Sequence, residues 1–447
     1  MKPLTDSQRK SLSALWESLP DEIRQKLLMA AGDNGRLAET LKMLEDDRRQ
    51  NAGETVALPP LFSKFVDVTG RETDPPSHAR FSADNLNQLD ALNQLDAMAE
   101  LSALDAPSKG AGPEDIQAWK SDAAKRLSAL IDQAESDKKL KTRLTGAFGA
   151  EYARLIEDAA CLLAHDAALG AALKPFDPVI KDLSPELVSR ARDSYDEICS
   201  AAPEASLWFL KILTARLTRT AQIFRVVEKI GRKSDDALVS KTDLADIGDL
   251  VLANADFYAG QFDKAPETIA EADAAGHALE QFVKVSVGMT REFGIRKDGH
   301  WGKTLFAIRA KASSALEEFF KQVETDFPRA VPGVSKGKQG LAKPGALPKE
   351  DLILKTEAQL RFLAIATEWS SQAAVGSSQK HAADSVRQEM DDTVRAYLEI
   401  LRAAEGEDVE KATAALDICI RYMHAFNDDE NADLIQRRSV AVRANAA

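Results

Sequence analysis

Asp158, Cys161 and His165 have the residue types and the three- and four-residue spacing that would put all three on one helical face as half of a metal site. A closed site needs a second ligand pair, and no other pair has a matching spacing. The nearest other cysteine, Cys199, falls on a different expected helix. Cys161 is therefore read as a half-buried packing residue beside a histidine on the polar edge. None of the six histidines (His78, His165, His277, His300, His381, His424) follows a Glu by three residues, and none sits in a His-Glu-x-x-His run. The ligand patterns of di-iron bundles and zinc proteases are thus missing, and no cofactor or metal is expected.

Two further patterns touch on known chemistry. Gly302-Lys303-Thr304, after Gly299, matches the end of a phosphate-binding loop, but Lys297 stands where the motif needs glycine. Phe282–Val287 would have to serve as the preceding strand, and a turn between two helices is the simpler reading. Gly333-Val334-Ser335-Lys336-Gly337 matches the nucleophile elbow, whose chemistry requires a strained strand-to-helix turn. Here it lies in a Pro/Gly/Lys stretch and is read as coincidence. A catalytic reading would centre on Cys161/His165 or the Lys303 loop; the pattern leans away from an enzyme.

The most informative stretch is Leu207 to Lys233, with Lys211, Arg216, Arg219, Arg225, Lys229, Arg232 and Lys233 against one acid, Glu228. Drawn as one continuous helix at about 100° per residue, its apolar side chains fill half the circumference. Lys211, Arg225, Lys229, Arg232 and Lys233 gather opposite. Arg216 and Arg219 intrude on the apolar side, where a buried guanidinium requires a carboxylate or a ligand. Such a helix either meets acidic neighbours inside a bundle or lies on an anionic surface, whether membrane, nucleic acid or acidic protein.

The elements that must position these residues are helices. Apolar residues recur at three- and four-residue spacing along most of the chain, and alanine-rich, aromatic-poor composition (6% FWY) suits helix over strand. Helices are expected from Thr5 to Arg49, then near 113–136, 148–173, 184–201, 203–232, 241–258, 266–292, 302–325, 350–376, 380–404, 408–426 and 429–444. Residues 51–81 interrupt the pattern with Pro59-Pro60 and Pro75-Pro76, and their Phe62 and Phe65 suggest an arm that packs on its own chain or on a partner. In 84–105 the hexad Leu86-Asn87-Gln88-Leu89-Asp90-Ala91 repeats at once, giving leucines that wind around a helix. That helix needs cover on several sides, from the bundle or from a second copy.

The expected fold is therefore all-α: helical bundles or an irregular array, with a long N-terminal arm and a flexible Pro/Gly/Lys linker before a C-terminal bundle. Its parts are an N-terminal segment (1–105), a central bundle (113–327), a linker (328–349) with four prolines and four glycines, and a C-terminal bundle (350–447). The 447 residues exceed one core. No apolar run reaches the ~18 residues a membrane span needs, so an integral membrane protein is not expected. Three scattered cysteines and a polar N-terminus fit a reducing cytoplasm. A net charge of −13 argues against wholesale coating of nucleic acid. The function expected is a non-catalytic helical interaction or scaffold protein of a bacterial cytoplasm, holding a protein partner through Phe62, Phe65 or the basic face. The alternative is a peripheral binder of an anionic surface through 207–233.

Overall fold

The structure is a computed structural model that describes residues 112–231, 244–336 and 342–446. The N-terminal helices, the arm with Phe62 and Phe65, the repeat at 84–105, and Arg232 and Lys233 lie outside the described residues.

The described chain is helical, as its periodicity demands, and contains fourteen α-helices among the described residues. It gathers into two compact units, whose described parts are 112–171 and 172–446. In the first, α1 (Pro113–Ser136), α2 (Lys138–Phe148) and α3 (Tyr152–Ala164) form a small bundle in which α1 lies on α3. Asp137 separates α1 from α2 because its carboxylate takes the amides of Lys139 and Leu140, the first orphan donors of α2. The helix expected over 113–136 ends there, but α2 was not anticipated. Lys120 on α1 reaches Asp166 at 2.8 Å, the first residue of α4 (Asp166–Leu173). The helix expected over 148–173 is thus two, separated at His165, which caps α3.

The second unit is built around α9 (Ile269–Glu292), which packs against α8 (Ala245–Gly260) and α11 (Glu350–Trp369). Its N-terminus is capped locally, three residues beyond the expected start at 266: the Thr268 hydroxyl accepts the Glu271 amide at 3.2 Å. Small residues let the neighbours close in. A side chain at Gly276 would stand 2.6 Å from Ile365 of α11, and one at Gly288 would stand 2.8 Å from Ala221. The 31-residue α10 (His300–Ala330) passes from α8 to α12 (Gly376–Ala403), and α12, α13 (Glu407–Ala425) and α14 (Asp429–Ala446) pack on one another. Its buried apolar residues recur at helical spacing from Trp301 to Phe327.

The stretch 328–349 begins as helix, since α10 carries Pro328 in its last turn and ends at Ala330. A short antiparallel hairpin follows, β1 (Val334–Lys336) with β2 (Ala342–Pro344), and β2 rests on α12 and α13. Two buried tyrosines fix this region. Tyr422 donates to the Ala330 carbonyl at 2.9 Å and Tyr397 to the Gly333 carbonyl at 2.5 Å. Ser335, the elbow look-alike, donates to the carbonyls of Lys343 and Pro344 within the hairpin.

The helix expected over 203–232 requires correction. A 3-10 turn (Pro203–Ala205) leads into α6 (Ser206–Arg216), which stops; a second 3-10 turn (Thr220–Gln222) then precedes α7 (Ile223–Gly231). The interruption has a tertiary cause. Leu217 forms a parallel bridge with Ile180, in the segment leading to α5 (Pro185–Ala201): Ile180 donates to the Arg216 carbonyl at 2.7 Å and Thr218 to the Ile180 carbonyl at 2.9 Å. The Thr218 hydroxyl adds bonds to the carbonyls of Ile180 and Lys181. Threonine side chains that bond backbone in this way compete with helix.

Candidate functional site

Because the helix is broken at Leu217–Arg219, Lys211 and Arg225 do not share the face that a single helix would give them. Lys211 lies 4.0 Å from Asp246 and 5.0 Å from the centre of the Trp208 ring. Arg225 binds Glu292 of α9 through two parallel bonds of 2.7 and 3.0 Å, and the Leu183 carbonyl through a third. These hydrogen bonds hold the Glu292 carboxyl below its usual pKa, against the opposing effect of burial. Lys229 is exposed on α7. Lys211 and Arg225 therefore answer carboxylates of their own bundle, and Lys229 stands on the surface.

Arg216 resolves the question of the buried guanidinium in an unforeseen way. It is 9% exposed, and its Nη1 donates to the carbonyls of Leu173 (3.0 Å) and Phe176 (2.8 Å). Leu173 ends α4, so the cation sits on the negative end of a helix rather than on a carboxylate. Burial pushes its pKa down, with Asp177 opposing that shift. Arg219 lies 3.4 Å from Asp182.

The same break borders a cleft in the second unit. This cleft of about 690 Å³ is bordered by Lys181, Thr218 and Arg219 on one side and by α9 along its floor. From α9 come His277, Gln281, Lys284, Gly288 and Arg291, with Val283 and Val287 beside them. Steps of three and four place the first five on one helical face, and His277 to Arg291 spans about 21 Å at ~1.5 Å per residue. Tyr258 of α8 and Trp369 and Gln372, at the end of α11 and in the turn beyond it, complete the wall.

Each part is held in place. Gln222 is buried and clamps the 181–183 segment, accepting the Leu183 amide at 3.0 Å and donating to Asp182 at 2.7 Å. The turn after Trp369 closes with a Val375-to-Ser370 backbone bond of 2.8 Å, and Ala374 there takes φ +63°, a left-handed conformation that costs an L-residue about 1–2 kcal/mol. The Lys284 ammonium stands 6.0 Å from the Trp369 ring centre.

The cleft's charge is one-sided. Lys181, Arg219, Lys284 and Arg291 line it together with His277, and no carboxylate does. Glu280 pairs with Lys284 at 2.5 Å and Glu292 with Arg291 at 3.2 Å, but both acids stand outside the lining, as does Asp182. Glu292 already accepts two bonds from Arg225. Among the described residues, Lys181 has no carboxylate within ion-pair distance. Such a wall of donors over a partly apolar floor suits the holding of an anion. Sequence reasoning missed this site because its residues come from five separated stretches. The available signal was the polar stripe His277, Gln281, Lys284 and Arg291 on a helix whose buried residues are mostly apolar.

The remaining candidates take structural places. Phe282–Val287 is helix, not strand, so Gly302-Lys303-Thr304 follows no phosphate-binding turn. Gly302 lies in the first turn of α10, where a Cβ would stand 1.7 Å from the Arg296 carbonyl oxygen. That close backbone approach explains the glycine. Cys161 and Cys199 are half-buried, and among the described residues no three His, Cys, Asp or Glu side chains group as a metal-ligand set. No described helix is long and apolar enough to cross a membrane. No protein-family model, curated protein sequence or solved structure matches the chain.

Proposed function

We propose that this chain is a helical binding protein that holds an anionic group in the cleft along α9. The observation that carries this reading is the lining itself: four permanent cations and a histidine, with no carboxylate among them. Their ion pairs with Asp182, Glu280 and Glu292 do not oppose it. The solvent-accessible pairs with Asp182 and Glu280 contribute at most about 1 kcal/mol. Arg291 is itself exposed and Glu292 keeps its two bonds from Arg225, so Arg219, Lys284 and Arg291 can turn toward a ligand at small cost.

This reading keeps the anionic partner suggested by the basic stretch 207–233 but moves its seat. Arg219 is the member of that stretch that reaches the cleft, and Lys181, Lys284 and Arg291 come from elsewhere. A protein partner fits the same reading when it presents phosphate or clustered carboxylates. The test is a thermal-shift titration of the full chain with pyrophosphate at low salt, since a ligand that binds only the folded state must raise the melting temperature. A saturable rise, abolished by Lys181→Ala with Arg291→Ala, supports the reading; an equal rise in the double variant rejects it.

A further inference from the structure

We propose that the cleft accepts a phosphorylated small molecule carrying a planar ring, in the size class of a nucleotide. Its phosphate would lie between Lys181, Arg219 and Arg291, and its ring against Trp369. The inference rests on the anion-binding reading above and specifies its ligand.

Size comes first. The cleft's volume of about 690 Å³ lies in the range of small-molecule pockets, roughly 300–1,000 Å³, and is far more than an inorganic anion fills. Charge and aromatic surface are also separated along it. Gly288 faces Ala221 of the 3-10 turn, so the Thr218–Arg219 corner, and Lys181 beside it, meet α9 near Gly288 and Arg291. Trp369 meets the same helix two turns earlier, at Lys284. The seven-residue step from Lys284 to Arg291 corresponds to about 10 Å along the helix, room for a ring, a sugar-sized spacer and a phosphate in line.

Chemistry at each end agrees with that order. Two guanidinium groups, whose partners Asp182 and Glu292 stand outside the lining, and an ammonium without an ion-pair partner among the described residues favour a dianion, and Arg matches phosphate oxygens in bidentate fashion. At the other end Trp369 is half-buried, so its ring is held yet open to the cleft. A ring stacked there would also lie near the Lys284 ammonium, adding cation–π attraction. The amides of Gln281 and Gln372, one on each wall, supply both donors and acceptors for the polar edge of a heterocycle. An extended acidic peptide would use the cations but leave the tryptophan and the two amides without a role.

The experiment is calorimetric titration of the full chain, at low salt, with adenosine monophosphate, adenosine, inorganic phosphate and a short poly-aspartate peptide. Adenosine monophosphate is expected to bind at least about tenfold more tightly than phosphate, and adenosine alone weakly. Trp369→Ala should lower affinity for the nucleotide by between about 5- and 150-fold, the worth of one base–aromatic stack, while phosphate binding stays the same. Circular dichroism and the melting temperature verify that the variant folds, and Trp369→Phe should recover most of the affinity. Nucleotide binding no tighter than phosphate binding, or unchanged in Trp369→Ala, overturns the nucleotide inference while phosphate binding leaves the broader reading standing. A peptide that binds while the nucleotide does not also overturns it. No binding by any of the anions sinks both.

Discussion

Replacing Arg216 by leucine separates two accounts of why this chain buries a cation. If the guanidinium were merely tolerated, an apolar side chain of similar reach would be neutral or stabilising, because desolvation of the charge would vanish. The geometry argues otherwise. Its partners are not side chains that could be removed with it but the backbone carbonyls of Leu173 and Phe176, at 3.0 and 2.8 Å. Leucine leaves both without that donor in a site where the residue is 9% exposed. The Leu173 carbonyl keeps the Phe176 amide at 3.1 Å, so what is lost is two charge-assisted hydrogen bonds, at about 1.5–3 kcal/mol each, and only the Phe176 carbonyl loses its side-chain donor outright. Relief of the charge's own desolvation, and of its unpartnered Nε, offsets part of this. A net loss of about 2–3 kcal/mol is expected. Urea denaturation followed by circular dichroism measures it as a lower midpoint at unchanged slope. The local effect is read by hydrogen exchange at Ile180 and Thr218, whose amides form the bridge beside Arg216. Arg216→Leu should speed exchange there more than in α12. A variant as stable as the parent, with the bridge equally protected, would refute the argument that helix-end carbonyls demand this cation.

Three other perturbations test neighbouring parts of the account. Gly302→Ala should cost about 3 kcal/mol, the upper end of overpacking penalties, because the clash is with the Arg296 backbone rather than a movable side chain; thermal denaturation within a degree of the parent would contradict it. Glu292→Gln should cost about 1–2 kcal/mol at neutral pH, the charged bonds to Arg225 being discounted because that side chain is 33% exposed. Since Glu292's pKa is depressed in the folded chain, its contribution is present above the unfolded value near pH 4.3 and is lost as pH falls through the lower native value. Acid titration of stability should therefore flatten in Glu292→Gln, and parallel curves would be inconsistent with the pair. Cys419 is fully buried with its thiol pushed up to about 12, so at pH 8 maleimide should label Cys161 and Cys199 first and Cys419 only on unfolding; equal rates in the native chain would contradict the packing around α13.

How much of this was legible in the sequence depends on how local the cause was. The helices expected over 184–201 and 266–292 are found as α5 (Pro185–Ala201) and α9 (Ile269–Glu292), whose starts are settled locally by the Ser184 and Thr268 caps. The all-helical class followed from periodicity and alanine content. The interruption at Leu217 was not legible, since its cause is Ile180, about forty residues earlier, and apolar spacing runs through it unbroken. That one break undid the single basic face drawn over 207–233 and made the corner that Arg219 occupies. Gly302 looked like part of a phosphate loop because sequence shows the glycine but not the Arg296 carbonyl that requires it. The cleft was illegible for the same reason as Leu217: Lys181, Arg219, Arg291 and Trp369 are neighbours only after α9 and α11 have packed in parallel. That register is marked by Asp273 with Arg361, Gly276 with Ile365 and Lys284 with Trp369.

The central claim is that Lys181, Arg219, Lys284 and Arg291 of the cleft, and not Lys229, Arg232 and Lys233, hold an anion. Calorimetric titration of pyrophosphate at two salt concentrations tests it most directly, in the parent chain, in Lys181→Ala/Arg291→Ala, and in a variant with Lys229, Arg232 and Lys233 changed to alanine. The account expects saturable binding that weakens with salt, disappears in the cleft variant and persists in the 229/232/233 variant. Binding that survives loss of Lys181 and Arg291 but disappears with the other three lysine and arginine side chains would contradict it.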